Sequence, residues 1–434
     1  MFELIIIALF SLILLYFVLM GYSVIYALLI GFLIFCFYGI KKGNTIFEIS
    51  KMAYEGFLQM TNILKVFMLI GIITATWKSS GTIAYIIVKS SALITPELFI
   101  PVTFILCSIL SMLIGTSFGT AATMGVICIS MARAMGINDT IVAGAVLSGV
   151  FYGDRFSPMS TSALLVSEIS GTNLFENLKL MFKTSIVPTI LTLIFYYIIG
   201  LRAGSSSVDY KTINLLKDNF NLETVMILPA LVIVVLSLFK VDVKKTMSVS
   251  IVCAILLSYF FQDLSAGQIL KFSIFGYEST NEHINALFKG GGMVSMINVS
   301  IIIMIASTYS GIFEGTGLLE NIKSAIYKLS ERTFDFFAVL VTGIITSMIA
   351  CNQSLATVLN YRLCKGITDD QKLAIFIENS SILISGMIPW SIASAVPLST
   401  LKADKSAILF AFYLYILPLY TLLVEYINSK KTTD

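Results

Sequence analysis

Unbroken apolar runs organise this chain, with little polar alternation inside them. They lie near residues 4–20, 22–40, 61–77, 98–114, 121–134 and 180–201, then near 223–239, 246–262, 293–312, 334–350, 374–390 and 406–426. A helix of about 20 apolar residues crosses the hydrocarbon of a bilayer, so runs such as Ile186–Gly200 and Leu228–Phe239 predict spanning helices. Strands of a membrane barrel alternate apolar and polar over about ten residues, and these runs do not. One sizeable polar interruption, RAGSSSVDYKTINLLKDNFNLE at 202–223, divides the runs into two series. The expected organisation is a first transmembrane repeat over 1–205, a polar linker over 206–222 and a second repeat over 223–434.

The two series carry similar features in the same order. TWKSSGTIAYI (76–86) ends an apolar run in the first, and TYSGIFEGTGLLENI (308–322) does so in the second. A break rich in small and hydroxyl residues follows, GTSFGTAATMG (115–125) or NQSLAT (352–357), and then a polar patch with proline, GDRFSPMSTS (153–162) or ENSSILISGMIPW (378–390). Lys41, Lys42 and Lys51 follow the second run and place that loop and the N-terminus inside. Lys240, Lys244 and Lys245 follow the first run of the second series, which places that loop inside too and starts the second series outside. Lys430 and Lys431 mark a cytoplasmic C-terminus. Opposite starting sides indicate inverted repeats. The predicted fold is an all-α polytopic membrane protein of about ten to twelve transmembrane helices, in two inverted repeats with broken or re-entrant helices. The expected location is the cell (plasma) membrane, with both termini cytoplasmic; the opening MFELIII lacks the marks of a cleaved signal, so the first helix is expected to stay.

Composition agrees with lipid as the solvent. Of 434 residues, 57% are hydrophobic and 12% charged, against about 25% charged in a soluble domain. Lys+Arg 28 against Asp+Glu 25 leaves a formal charge of +3 and no basic block, so nucleic acid is excluded as a partner. The six cysteines lie singly and read as small buried hydrophobes, and the lone His283 as a loop residue.

Chemistry is expected at the polar breaks. Inside hydrocarbon every backbone group must be paired, so a helix is interrupted only where protein or a water-filled cavity satisfies it. GTSFGTAATMG supplies close backbone approach and the hydroxyls of Thr116, Ser117 and Thr120 around Gly119, which suit a hard cation; a tight helix crossing built on small residues is the alternative. Asn352, Gln353 and Ser354 stand at the matching break. Asp154, followed by Ser157, Ser160 and Thr161, is a candidate Na⁺ ligand or proton carrier, with a salt bridge to Arg155 as its alternative role. Glu378, beside Asn379 and Ser380, is the only acid between Asp370 and Asp404 and has apolar flanks, which suits a proton carrier; an interfacial acid at a helix start is its alternative role. Glu314 and Glu168 lie among polar neighbours, and Lys65 and Lys78 read as snorkelling or facing a cavity.

No GxxxxGK[ST] loop, HExxH arrangement or arginine ladder is present, which leaves a secondary carrier rather than an ATP-driven pump, an intramembrane hydrolase or a voltage sensor. At these same patches the sequence resembles the NhaC-type sodium/proton antiporter family, over nearly the whole chain. TATWKSSGTIAYII is similar to that family's GTWxxSGTIP segment, and GTSFGTAATMGVICISMARAMGI with AGAVLSGVFYGDRFSPMSTSALLVSEISGTNLF is similar to its first-half signature. In the second half LNYRLCKG stands where the family has a PGRxY-like turn, and ENSSILISGMIPWS stands where it has EDSGTxxSPLIPWN. Two departures matter: Thr161 replaces an acid of the GDKxSPLSDTTNLA motif, and Asn379 replaces an acid of the second-half motif.

The resemblance implies Na⁺/H⁺ antiport by alternating access, with no enzymatic activity. Na⁺ is expected at Asp154, Thr116 and Thr120, with Ser117, Ser157, Ser160 and Thr161 nearby and Glu378 as the second-half acid. The alternative is Na⁺-coupled transport of a small amino acid or carboxylate on the same scaffold. Expected partners are the lipid bilayer, Na⁺, H⁺ and, on the alternative, that organic solute; a homodimer is allowed and no cofactor is expected.

Overall fold

The structure, a computed structural model, describes residues 2–59, 61–90, 95–203, 210–239, 241–316 and 323–431. Among them, extended pairing is limited to one isolated antiparallel bridge between Tyr277 and Gly290. The first half forms α1 (Phe2–Leu19), α2 (Val24–Lys41), α3 (Ile46–Gln59), α4 (Thr61–Ser79), α5 (Thr82–Ser90), α6 (Pro96–Ile114), α7 (Ser117–Thr120), a π-helical turn over Ala121–Gly125, α8 (Val126–Ala134), α9 (Asp139–Phe156), α10 (Thr161–Ser170) and α11 (Leu174–Ala203). The second forms α12 (Tyr210–Asn219), α13 (Leu228–Leu238), α14 (Val243–Phe261), α15 (Ala266–Phe275), α16 (Glu282–Phe288), α17 (Ile297–Thr316), α18 (Lys323–Arg332), α19 (Asp335–Ala350), α20 (Gln353–Cys364), α21 (Asp370–Glu378), α22 (Ser381–Met387), α23 (Ile392–Leu401) and α24 (Phe412–Lys431). The protein is thus an all-α polytopic membrane protein.

The apolar runs all become helices, and their lipid-facing character is visible in the many large apolar side chains left exposed on α1, α2, α11 and α14. Among the described residues five helices are individually long and apolar enough to cross a bilayer, or up to eight if three bent pairs count as single spans. One long helix escapes the run pattern: α9 is buried almost end to end. Its sequence, DTIVAGAVLSGVFYGDRF, is diluted by glycine, serine and alanine because it packs against protein rather than lipid. The expected linker over 206–222 lies partly outside the described residues, and the rest of it contains the helix α12.

Two helical hairpins enter the molecule from opposite ends. α6 and α9 run in the same direction: Ser111 Oγ donates to the Val150 carbonyl at 2.7 Å, and Gly149 and Gly153 sit directly on the backbone of Phe104 and Ser108. Arg133, at the end of α8, pairs with Asp139 at the start of α9 at 3.0 Å. The limb of α7, π-turn and α8 therefore returns to the end from which α6 set out. That end also holds Lys402, after α23, whose carbonyl accepts from Arg133 at 3.3 Å. The second hairpin joins α19 to α20, with the Asn360 amide donating to the Val339 carbonyl at 3.2 Å. It opens at the other end, where Phe334 packs on Tyr426 of α24 and Tyr361 donates to Asp370 at the start of α21.

Contacts between the halves repeat with the halves exchanged: α4 packs against α14 and α15, and α17 packs against α2 and α3. Lys402 Nζ donates to the Lys289 carbonyl, so α17 starts near the Lys402 end; it finishes beside Gly39 of α2. Glu3 pairs with Lys42 at 3.0 Å, and Glu425 with Lys372 at 3.0 Å. The described starts and finishes of the chain accordingly share the end opposite Lys402.

Candidate functional site

The tips of the two hairpins have the same backbone sequence of states. α6 stops at Gly115 (φ +73°), Thr116 is extended, and Ser117 begins the return limb. α19 stops at Cys351 (φ +53°), Asn352 is extended, and Gln353 begins α20. A left-handed residue ends a helix by turning its last N–H back on the preceding carbonyls, and glycine is the residue that does this without steric cost. At Cys351 surrounding contacts hold a side-chain-bearing residue in that state: the Ile392 N–H donates to its carbonyl at 2.9 Å, and Trp390 Nε1 donates to the Met348 carbonyl at 2.9 Å. Gly115 is held by the first-half break instead, its Cα facing the Met159 backbone so closely that a Cβ would lie 2.9 Å from it. Pro389 and Trp390 thus break the helix between α22 and α23 and brace the hairpin tip.

The tips and Asp154 meet at a cavity of about 370 Å³. Of the residues singled out from sequence, Thr116, Ser117, Asp154, Thr161, Asn352, Gln353 and Ser354 line it. Asp154 is 4% exposed. Its Oδ2 accepts from Ser162 Oγ at 3.3 Å, while Oδ1 has no hydrogen-bond partner. An ionised carboxylate shut away from water is costly unless a cation or proton joins it, so this oxygen marks a place for one of the two. Asp242 and Lys244 stand at the cavity margin, Asp242 exposed and capping α14 through the N–H groups of Lys244 and Lys245.

The other candidates support this cavity or lie behind it. Gly119 packs under the tip against Thr116 and Ile114. Thr120 Oγ1 donates to the Thr116 carbonyl at 3.0 Å, so its hydroxyl is engaged within the tip. Ser157 Oγ accepts from the Met159 N–H at 3.2 Å, and Ser160 caps α10 and contacts Ser162 Oγ at 2.8 Å. These hydroxyls shape the break rather than face the cavity. Glu378, Asn379 and Ser380 are buried at the end of α21; Ser380 Oγ donates to the Phe376 carbonyl at 2.7 Å.

Arg155 is the residue whose role the sequence pattern missed. It does not pair with Asp154. Its side chain, 0% exposed, crosses to the second half. Nη2 donates to Asn379 Oδ1 at 2.6 Å, Nη1 to the Tyr413 hydroxyl at 2.9 Å, and Nε lies 3.6 Å from Glu378 Oε2. The last contact is an ion pair longer than a hydrogen bond. Successive helical residues point about 100° apart, which separates Asp154 from Arg155; that angle was available from sequence, but the partner was not. Of the remaining charges, Lys78 is buried, Lys65 and Glu168 are exposed, and the side chain of Glu314 lies outside the described residues. Among the described residues no group of three or more His, Cys, Asp or Glu side chains could hold a metal ion together. The donors at the cavity are the buried Asp154 carboxylate, the Asp242 carboxylate at its margin, hydroxyls, amides and backbone, a set suited to a weakly held monovalent cation.

A family model described as "Na+/H+ antiporter family" matches residues 1–169 and 149–428. The chain is 29% identical to the Na⁺/H⁺ antiporter NhaC of Alkalihalophilus pseudofirmus (strain ATCC BAA-2126 / JCM 17055 / OF4), over 83% of this chain and 80% of that one. It is 27% identical to the malate-2H⁺/Na⁺-lactate antiporter of Bacillus subtilis (strain 168), over 84% of this chain and 81% of the other. It is also 27% identical to the NhaC antiporter of Bacillus subtilis (strain 168), over 88% and 87% of the two chains.

Proposed function

This chain belongs to the Na⁺/H⁺ antiporter family, and from that membership we propose that it exchanges Na⁺ for H⁺ across the cell membrane by alternating access. It is a secondary active antiporter and not an enzyme. The observation that carries the ionic reading is the unpartnered Asp154 Oδ1 in a cavity between two hairpin tips. Na⁺ sits there against Asp154, with Thr116, Ser117 and the tip carbonyls as further oxygens; a proton on Asp154 takes its place on the return. The two halves act as inverted repeats, a reading supported by the opposed hairpins and by the exchanged packing of α4 and α17. Both termini are cytoplasmic on this reading, since Lys41, Lys42, Lys365 and Lys372 gather at their end.

A second reading has one observation in its favour. A bare cation needs far less than about 370 Å³, a volume that falls at the low end of small-molecule sites. A small carboxylate or amino acid carried with Na⁺ fits that space, with Lys244 and the Asn352 and Gln353 amides beside it. Purified protein in liposomes holding a pH dye distinguishes the two. Proton movement driven by a Na⁺ gradient alone supports exchange. Na⁺-dependent accumulation of a labelled carboxylate or amino acid, with no proton movement, supports the second reading.

A further inference from the structure

Three cations come together at the end of the molecule opposite the termini: Lys78 in the last turn of α4, Arg133 in the last turn of α8, and Lys402 just after α23. We propose that this end holds a binding site for a small monovalent anion, a halide or a single carboxylate, between Lys78, Lys402 and the glycine loop 290–292. None of these residues lines the cavity between the hairpin tips, so the site does not depend on which solute is exchanged there.

Lys78 is 5% exposed and stands without a counter-charge. Among the described residues its ammonium donates no hydrogen bond and meets no carboxylate, and the charges that act on it, Lys402 and Arg133, are both positive. A buried ammonium in that setting is costly, and two like charges beside it add to the cost. The acids nearby are already engaged: Asp139 with Arg133 at 3.0 Å, Glu278 with Lys289 at 2.6 Å, and Asp404 with the Ser406 N–H at 2.8 Å. Arg133 is fixed further by the Leu401 and Lys402 carbonyls, at 3.1 and 3.3 Å. Lys402 Nζ gives one hydrogen bond to the Lys289 carbonyl, and an ammonium has three to give.

The backbone between the two lysines allows close approach. Gly290, Gly291 and Gly292 have φ of +109°, +84° and +78°, a run that residues with side chains do not adopt without strain. Gly291 lies against α4, where a Cβ would stand 2.8 Å from the Ala75 nitrogen, and the Lys402 ammonium occupies the place a Cβ would take on Gly290. A helical side chain leans back over the residues three and four before it, which carries Lys78 over Ala75 and Thr74 and so toward this loop. Two ammoniums over a backbone stripped of side chains, with no carboxylate between them, form the donor set of an anion site. An anion seated there links α4 to α23 and offsets charge that no neighbouring side chain offsets.

The test uses the whole protein in detergent, unfolded by heat at one fixed Na⁺ concentration while chloride or acetate replaces gluconate, an anion too large for the site. The expected result is a saturable rise in unfolding temperature as the small anion is added. A response to chloride alone makes the ligand a halide, and a response to acetate makes it a carboxylate. Lys78→Met keeps an unbranched side chain without the charge, and its unfolding temperature should not respond to either anion. Lys402→Gln should weaken the apparent affinity by at least about tenfold, the loss of one charge-assisted contact. No saturable response in the parent protein, or the same response in Lys78→Met, overturns the inference. If Lys78→Met fails to insert, an unchanged affinity in Lys402→Gln overturns it.

Discussion

Asp154 and Arg155 are neighbours in the chain with opposite assignments, one turned to the cavity and one to the second half. Asp154→Asn keeps the shape and removes the charge, so Na⁺-driven proton flux should fall by at least about tenfold while the protein still inserts. Unchanged flux in that variant removes Asp154 from the site. Glu378→Gln leaves a buried guanidinium without its counter-charge and should destabilise the fold by about 3–5 kcal/mol, read as a lowered unfolding temperature in detergent. The paired change with Arg155→Gln should recover most of that loss, because no unmatched ion then remains. A Glu378→Gln protein as stable as the parent contradicts the ion pair.

At the scale of elements, the hairpin tips depend on two left-handed residues. Gly115→Ala imposes a cost of roughly 1–2 kcal/mol for the backbone state, and its new Cβ lies 2.9 Å from the Met159 backbone besides. Cys351→Gly does the reverse, removing a strained φ of +53° at the loss of a small buried side chain. Gly115→Ala should therefore depress both stability and transport clearly more than Cys351→Gly, measured side by side by thermal unfolding and liposome flux. Equal losses would mean that the backbone state is not what shapes the tips. Both tips were marked in the sequence as clusters of small and hydroxyl residues, since only there does an apolar run give way to groups that tolerate an interrupted helix. That the tips share one conformation was not legible, because glycine and cysteine reach it by different means.

For the whole molecule, the consequence of opposed hairpins is one cavity shared by both halves. Ser354→Cys should react with a hydrophilic thiol reagent, and Na⁺ should slow the reaction if the cation sits between the tips; a rate indifferent to Na⁺ argues against that placement. Tags at the two termini should be digested from the same face of the membrane, a result that opposite faces would refute. The apolar runs by themselves determined the solvent, the helical class and the positions of the breaks, because hydrocarbon imposes length and hydropathy on each segment alone. They also pointed to Asp154 and Glu378, acids with no local reason to be there. They did not show α9, whose neighbours are protein. Nor did they show that Arg155 joins Glu378 rather than Asp154, or that Thr116 and Asn352, far apart in the chain, line the same cavity. Those are pairings between distant segments, and their energies exist only once the helices are packed and water has been excluded from between them.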